Sequence, residues 1–246
     1  MSAPPTTPFS LAGRRLLITG AAGGIGAASA RLAVAQGATV VLTDVLDPAV
    51  TAERVGDLGG KAEIHRLDSS KLADVKALAA TIGSVYGLID CGGICPFDDW
   101  LADDWDEALD RVIAANIKGP LNLTRVFFPG MVAQNEGRIV LCGSVAGWMG
   151  GVKSGPHYAF SKGGIHSFVR WLARRGAAHQ VNVNGIAPGP IDTGMTRGHG
   201  YERENYPLGR LGQPEDIAAM AIFLCSPGAG YTTGAIMDVN GGVHYH

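Results

Sequence analysis

Positive charge is not in excess in this chain. Lys and Arg number 20 against 22 Asp and Glu, for a net charge of −2. Nucleic-acid binders present a basic face or stripe, and here the densest basic spots, Arg14-Arg15 and residues 170–175, are short. No nucleic-acid partner is expected. Long apolar runs are missing too. Nothing approaches the roughly 18 residues that a membrane-spanning helix requires. Residues 1–10 are rich in Pro and Thr, with no basic segment leading into an apolar one, unlike a secretion signal. They read as a flexible tail before a single domain over 11–246, and the chain as cytoplasmic, with no membrane partner. Cysteine is scarce, with four residues. Cys142 and Cys225 lie in apolar runs and read as small core residues. Cys91 and Cys95 have no cluster of His or Cys to complete a ligand set, so no metal is expected.

Apolar residues and glycine are abundant. Hydrophobic residues make up 46% and glycine contributes 36 residues, with no repeat period to organise them. Many tight turns are implied. Short β-branched or apolar runs at 15–19 (RLLIT), 38–43 (ATVVLT), 62–67, 86–91, 138–142 (RIVLC), 181–186 and 235–239 read as strands. Helical spacing of apolar residues runs through 24–36, 72–82, 103–118, 158–178 and 214–224. Strands alternating with helices, and apolar on both faces, predict a parallel sheet covered on both sides. The expected fold is α/β: one Rossmann-type doubly wound sheet of about seven strands. The irregular stretch after the sixth strand, with 194–207 at its heart, has the length of a functional lid.

Between the first strand and first helix stands Thr19-Gly20-Ala21-Ala22-Gly23-Gly24-Ile25-Gly26. Glycines let the backbone approach a pyrophosphate, and the helix start offers free N–H groups and partial positive charge. Gly20, Ala22, Gly24, Ile25 and Gly26 are the expected cradle. Asp44 ends the second strand, 24 residues after Gly20. A carboxylate there accepts from ribose hydroxyls and repels a 2′-phosphate, and the loop carries no Arg or Lys. NAD is therefore expected over NADP. As a turn residue before Pro48, Asp44 would carry no such meaning.

Tyr158-Ala159-Phe160-Ser161-Lys162 sets a phenol and an ammonium one helical turn apart. Free tyrosine titrates near ~10, and a neighbouring cation favours its phenolate. Ser144 lies 14 residues earlier, just past the fifth strand. Asn116 sits near the end of the helix before that strand, and Pro188-Gly189 follow the sixth. Singly, Ser144 is a turn residue and Asn116 a helix cap. Their joint placement at the carboxyl edge of a parallel sheet, where ligands bind, favours function.

These motifs together resemble the short-chain dehydrogenase/reductase family, from about Leu11 to Gly241-Gly242. The matching segments also include Asp68 after the third strand and NGIAPGPIDT at 184–193. The resemblance implies Tyr158 as general acid/base and Ser144 as partner of the reacting oxygen. It implies Lys162 on the nicotinamide ribose and Asn116 on a water leading to Lys162. Pro188, Gly189, Ile191 and Thr193 would meet the nicotinamide, and Asp68 with Ser69 the adenine. It also implies a homotetramer paired through the long helix. Where the family carries Asn-Asn-Ala-Gly, this chain has Asp90-Cys91-Gly92-Gly93. Cys91 is expected to replace a sheet-bracing amide, with Cys91, Gly92 and Gly93 still along the cofactor.

The 3-oxoacyl-carrier-protein reductases are the nearest subgroup, but Asn135 and His179 stand where they carry carrier-gripping basic residues. A small or cyclic secondary alcohol, oxidised to its ketone, is the favoured substrate, in a pocket walled by Cys95, Trp148, Tyr201 and Tyr206. A non-catalytic NAD sensor, or another chemistry on the same fold, is the competing reading.

Overall fold

Seven strands align in the order β3-β2-β1-β4-β5-β6-β7, every neighbouring pair parallel. They are β1 Arg15–Thr19, β2 Thr39–Asp44, β3 Ala62–Arg66, β4 Gly87–Asp90, β5 Gly137–Cys142, β6 Val181–Pro188 and β7 Ile236–Val239. This is the α/β Rossmann-type sheet that the alternation predicts. The computed structural model describes residues 7–245. Helices α1 Gly24–Ala35, α2 Ala49–Asp57, α3 Leu72–Ile82, α4 Trp105–Ile113, α5 Gly119–Gln134, α6 Ala146–Met149, α7 Pro156–Gly176 and α8 Pro214–Cys225 make the connections.

Strand side chains alternate faces, and the two buried cores follow from that. Leu16, Ile18, Val40 and Leu42 pack with Ala30 of α1 and Ile217 of α8 on one face. Leu17, Val41, Leu88 and Ile139 pack with Val75 of α3, Leu123 of α5 and Ile165 of α7 on the other. Parallel strands all end at one edge, and the chain reverses its direction of winding between β1 and β4. A crevice opens at such a switch point.

Three sequence expectations change. The helix expected over 103–118 begins at Trp105, widens into a π turn over Ala114–Lys118, and runs on as α5 to Gln134. Gly119, Pro120, Pro129 and Gly130 hid α5, but Pro120 falls in its first turn, where no N–H is needed. Asn116 is thus inside a helical stretch and not at its end. α2 escaped notice because it buries only Thr51 and Val55. Finally, the segment expected to be a loose tail docks from residue 7 onward. Gly228 N–H donates to the Pro8 carbonyl at 2.7 Å, and Phe9 and Phe223 rings lie 6.2 Å apart. The earlier part of that tail, 1–6, lies outside the described residues. Among the described residues, no helix is long and apolar enough to cross a membrane.

Candidate active site

The turn after β1 is as tight as its glycines suggest. Gly20 has φ +64°, and a Cβ there would stand 2.7 Å from the Cys91 carbonyl oxygen. A Cβ on Gly26 would stand 2.2 Å from the Gly20 oxygen. The loop therefore folds back on the start of α1, whose first-turn amides no side chain caps. Asp44 joins β2 to this loop: its Oδ2 accepts from Ala22 N–H and its Oδ1 from Leu46 N–H, both at 3.0 Å. Sequence order hides one neighbour. Arg66, at the end of β3, donates to the Val45 carbonyl at 3.0 Å. Asp68 accepts from Ser70 N–H at 3.1 Å and from the Ser70 hydroxyl at 2.6 Å. The Ser70 bond and Lys71 hold its carboxyl below the usual range. The Ser69 carbonyl accepts from Asn122 at 3.0 Å. A glycine turn whose space a Cβ would fill, free helix-start amides and a carboxylate beside them fit a dinucleotide.

At the end of β4 the bracing residue is Asp90, which corrects the expectation placed on Cys91. Asp90 is 4% exposed, and its Oδ1 accepts from the Thr19 hydroxyl at 2.5 Å and from Gly92 N–H at 3.2 Å. The pair ties β4 to β1 across the switch point. Burial raises the Asp90 pKa against the pull of the Thr19 bond. Cys91 borders the crevice with Gly92 and Gly93, while its thiol packs toward the core beneath α1, and burial pushes that thiol well above the usual range.

Ser144, Tyr158, Lys162 and Asn116 converge from β5, α7 and the π turn. Ser144 follows β5, its Oγ accepting from Ala146 N–H at 3.1 Å, and it lines the same cavity as Tyr158. Tyr158 lies in the first turn of α7. Lys162, one turn on, is 5% exposed. Its Nζ donates to the Cys142 carbonyl at 2.8 Å and lies 5.7 Å from the Tyr158 ring centre. The widened turn carries the Asn116 amide inward. Asn116 Oδ1 accepts from Ile94 N–H at 2.9 Å, and Nδ2 donates to the Ile94 carbonyl at 2.9 Å and to Ser161 Oγ at 3.1 Å. The Ser161 hydroxyl donates to the Tyr158 carbonyl at 2.7 Å. Single π turns recur at functional sites. Behind Tyr158 lies buried His157, whose Nδ1 accepts the Tyr158 backbone N–H at 3.0 Å.

The lowered Tyr158 pKa expected from Lys162 is not what the chain itself produces. Burial raises the phenol above its ordinary range, Cys95 and Cys142 add to the rise, and the Ser144 hydrogen bond opposes it. Desolvation of a phenolate outweighs an ammonium already held by a carbonyl.

Ser144, Tyr158 and Lys162 form the floor of a cavity of about 550 Å³. Cys95, Tyr201 and Tyr206 line it, as expected, and so do Ile25, Pro188, Gly189, Ile191 and Thr193. Burial pushes Tyr201 up to about 12. Trp148 does not line it. Successive helical residues point about 100° apart, so α6 gives Met149 to the cavity and turns Trp148 away. There Trp148 Nε1 donates to Asp238 at 3.2 Å, and its ring lies 4.3 Å from His166. Cys142, expected in the core, lines the cavity, whereas Cys225 is fully buried. Lys153 was missed; its one signal is the Gly150-Gly151 pair just before it, which marks a turn at the cavity rim.

A cradle of this kind, a Ser-Tyr-Lys cluster and the sheet order define a class, and comparison with known proteins agrees. The family description "Enoyl-(Acyl carrier protein) reductase" matches residues 20–244. The chain belongs to the short-chain dehydrogenase/reductase family. It is 35% identical to the 3-oxoacyl-(acyl-carrier-protein) reductase FabG of Vibrio harveyi, over 96% of this chain and 99% of that protein. A 3-oxoacyl-(acyl-carrier-protein) reductase from Brucella melitensis with bound NAD superposes with TM-score 0.88 at 33% identity, covering 100% of this chain and 99% of that one. A candidate 2-deoxy-d-gluconate 3-dehydrogenase from Agrobacterium tumefaciens with bound NADP gives TM-score 0.86 at 34% identity, covering 96% and 98%.

Proposed function

We propose that this oxidoreductase uses NAD to interconvert a small or cyclic secondary alcohol and its ketone, with Tyr158 as acid/base. The observation that carries the reading is that Ser144, Tyr158 and Lys162 line one cavity, with the Lys162 ammonium one turn from Tyr158 and 5.7 Å from its ring centre. Ser144 fixes the substrate oxygen, and Tyr158 gives it a proton in reduction or takes one in oxidation. Lys162 and the amide of Asn116 hold the proton route behind the phenol, and Lys162 orients the ribose. Held by the glycine turn and Lys162, a nicotinamide cofactor would supply or accept the hydride and, when oxidised, bring positive charge to the site. Burial disfavours the phenolate of Tyr158 in the chain alone. Oxidation needs the added positive charge to release the phenol proton.

Asp44 supports NAD. Its carboxylate stands at the glycine loop and repels a 2′-phosphate, while Arg66 is held on the Val45 carbonyl. A kcat/KM ratio favouring NADP would sink this choice. The general test is NADH absorbance over a panel of secondary alcohols and ketones. Turnover by the wild type and none by Tyr158→Phe, with NAD still bound, separates an enzyme from a sensor.

A second reading, a 3-oxoacyl-carrier-protein reductase, is favoured by the identity to FabG along nearly the whole chain. Against it, Asn135 and His179 offer no basic grip for a carrier. Higher kcat/KM on long acyl thioesters than on small ketones would establish it. Exposed Phe160 and Trp171 on α7 support pairing of this helix with a second copy. A homotetramer by light scattering is expected, and a monomer would refute it.

A further inference from the structure

Two charged side chains line the cavity, and both are lysines. Among the described residues, no carboxylate lines it. Lys162 is committed to the floor, through the Cys142 carbonyl and its place beside Tyr158. Lys153 stands at the rim. Its ammonium donates to two backbone carbonyls of the 194–207 segment, those of His199 and Gly200, and lies 5.1 Å from the Tyr201 ring centre. Among the described residues it enters no ion pair, although nine other pairs form across the surface.

Lys153 is exposed at this rim, and its ammonium has only neutral protein partners, so no carboxylate of the described chain balances its charge. A carboxylate is a better acceptor than a carbonyl for the same N–H groups, because both partners are then ionised. Phe97, Met149, Met195, Tyr201 and Tyr206 give the same cavity apolar and aromatic walls, beside polar Ser154, Thr196 and Asn205. Phe97 also stacks on the His199 ring at 3.8 Å, which seats the rim segment. The body that suits such walls is a short alkyl chain or ring, and the group that suits Lys153 is an anion at its far end.

We propose that Lys153 selects substrates that carry a carboxylate remote from the reacting carbon, so that the enzyme acts on a small hydroxy acid or keto acid. This rests on the secondary alcohol and ketone reading above. The floor takes the carbinol or carbonyl through Ser144 and Tyr158. The rim takes the carboxylate through Lys153, which exchanges the His199 and Gly200 carbonyls for it.

The test uses matched acids and methyl esters on the full-length protein: 4-oxocyclohexanecarboxylate and 5-oxohexanoate, each against its ester, with NADH. The wild type is expected to prefer acid over ester by about 10-fold or more in kcat/KM, the size of one charge-assisted hydrogen bond. Lys153→Gln brings the ratio to about one through KM, and Lys153→Arg restores much of it. A preference for the esters, or a ratio that Lys153→Gln leaves unchanged whatever the absolute loss, overturns the proposal; Lys153 is then a clasp for the rim segment. Calorimetry with cyclohexanecarboxylate, which cannot react, reads the same site without turnover. Binding to the wild type that Lys153→Gln abolishes supports the proposal, and equal binding to both or to neither refutes it. If no acid, ester or alcohol is turned over, the oxidoreductase reading falls and calorimetry still decides on Lys153.

Discussion

The floor of the cavity and its rim are held by different means. On the floor, buried groups satisfy one another: Thr19 with Asp90, Asn116 with Ile94 and Ser161, Lys162 with the end of β5. Except for Ile94, in the loop after β4, each of these groups sits on a strand end or a helix turn. The rim, by contrast, is made of the loop after β4, the turn at 150–155 and the 194–207 segment. Ring stacking and backbone carbonyls hold it, with solvent close by. Buried polar groups that lose a partner cost free energy, whereas exposed ones exchange it for water. The floor is therefore rigid in composition, and the rim is free to be rewritten for a different substrate.

Substitution can break that contrast or sharpen it. The largest effect is expected at Tyr158→Phe: kcat falls by ~10²–10⁴, the usual share of a positioned acid/base, with NAD affinity kept. Loss of NAD binding instead would make Tyr158 a structural residue. Next comes Gly26→Ala, whose Cβ meets the Gly20 oxygen. Overpacking there costs about 1–3 kcal/mol, and Tm and NAD affinity both drop; an unchanged Tm would show that the loop yields.

Alkaline pH strikes the floor and core collectively. Cys91, Cys142, Cys225, Tyr86 and Tyr158 are all raised by burial, Cys225 to about 12. Below pH ~8.5 both folded and unfolded chains hold these protons, so stability is unaffected. Above it the unfolded chain releases them while the folded chain retains them, so stability falls as pH rises. Tm is expected to decline from about pH 9 upward, and a flat Tm to pH ~11 would contradict the buried thiols. The smallest effect is expected at Phe97→Ala on the rim: KM rises several-fold, roughly the worth of one aromatic pair, while Tm hardly moves. A large Tm loss would erase the distinction between floor and rim.

The same contrast governs what could be read from the chain. Six of the seven strands were legible by their apolar runs, β3 with its Glu63, His65 and Arg66 more weakly, and so was the cradle, because only glycine fits its tightest positions. Ser144, Tyr158 and Lys162 were legible by their spacing around one strand end. The rim was read less well. Trp148 was assigned to the cavity by sequence proximity, but one residue along α6 is a third of a turn, enough to reverse its side. Lys153 has no spacing rule to announce it. Asp90 was passed over in favour of Cys91, since nothing in sequence reveals that Thr19, 71 positions away, faces it. The Tyr158 pKa was misjudged because burial is a property of the folded surroundings.

The π turn has a consequence of another kind. It is a helix with one residue too many, and that surplus is what turns the Asn116 amide toward Ile94. Deleting one residue between 114 and 118 would leave an unbroken helix, which local propensity would favour. Yet the wide turn that carries the Asn116 amide inward would be lost with it. In an alignment of lengths such a change would look like tidying a flaw, and it would unscrew the catalytic chamber from its own back wall.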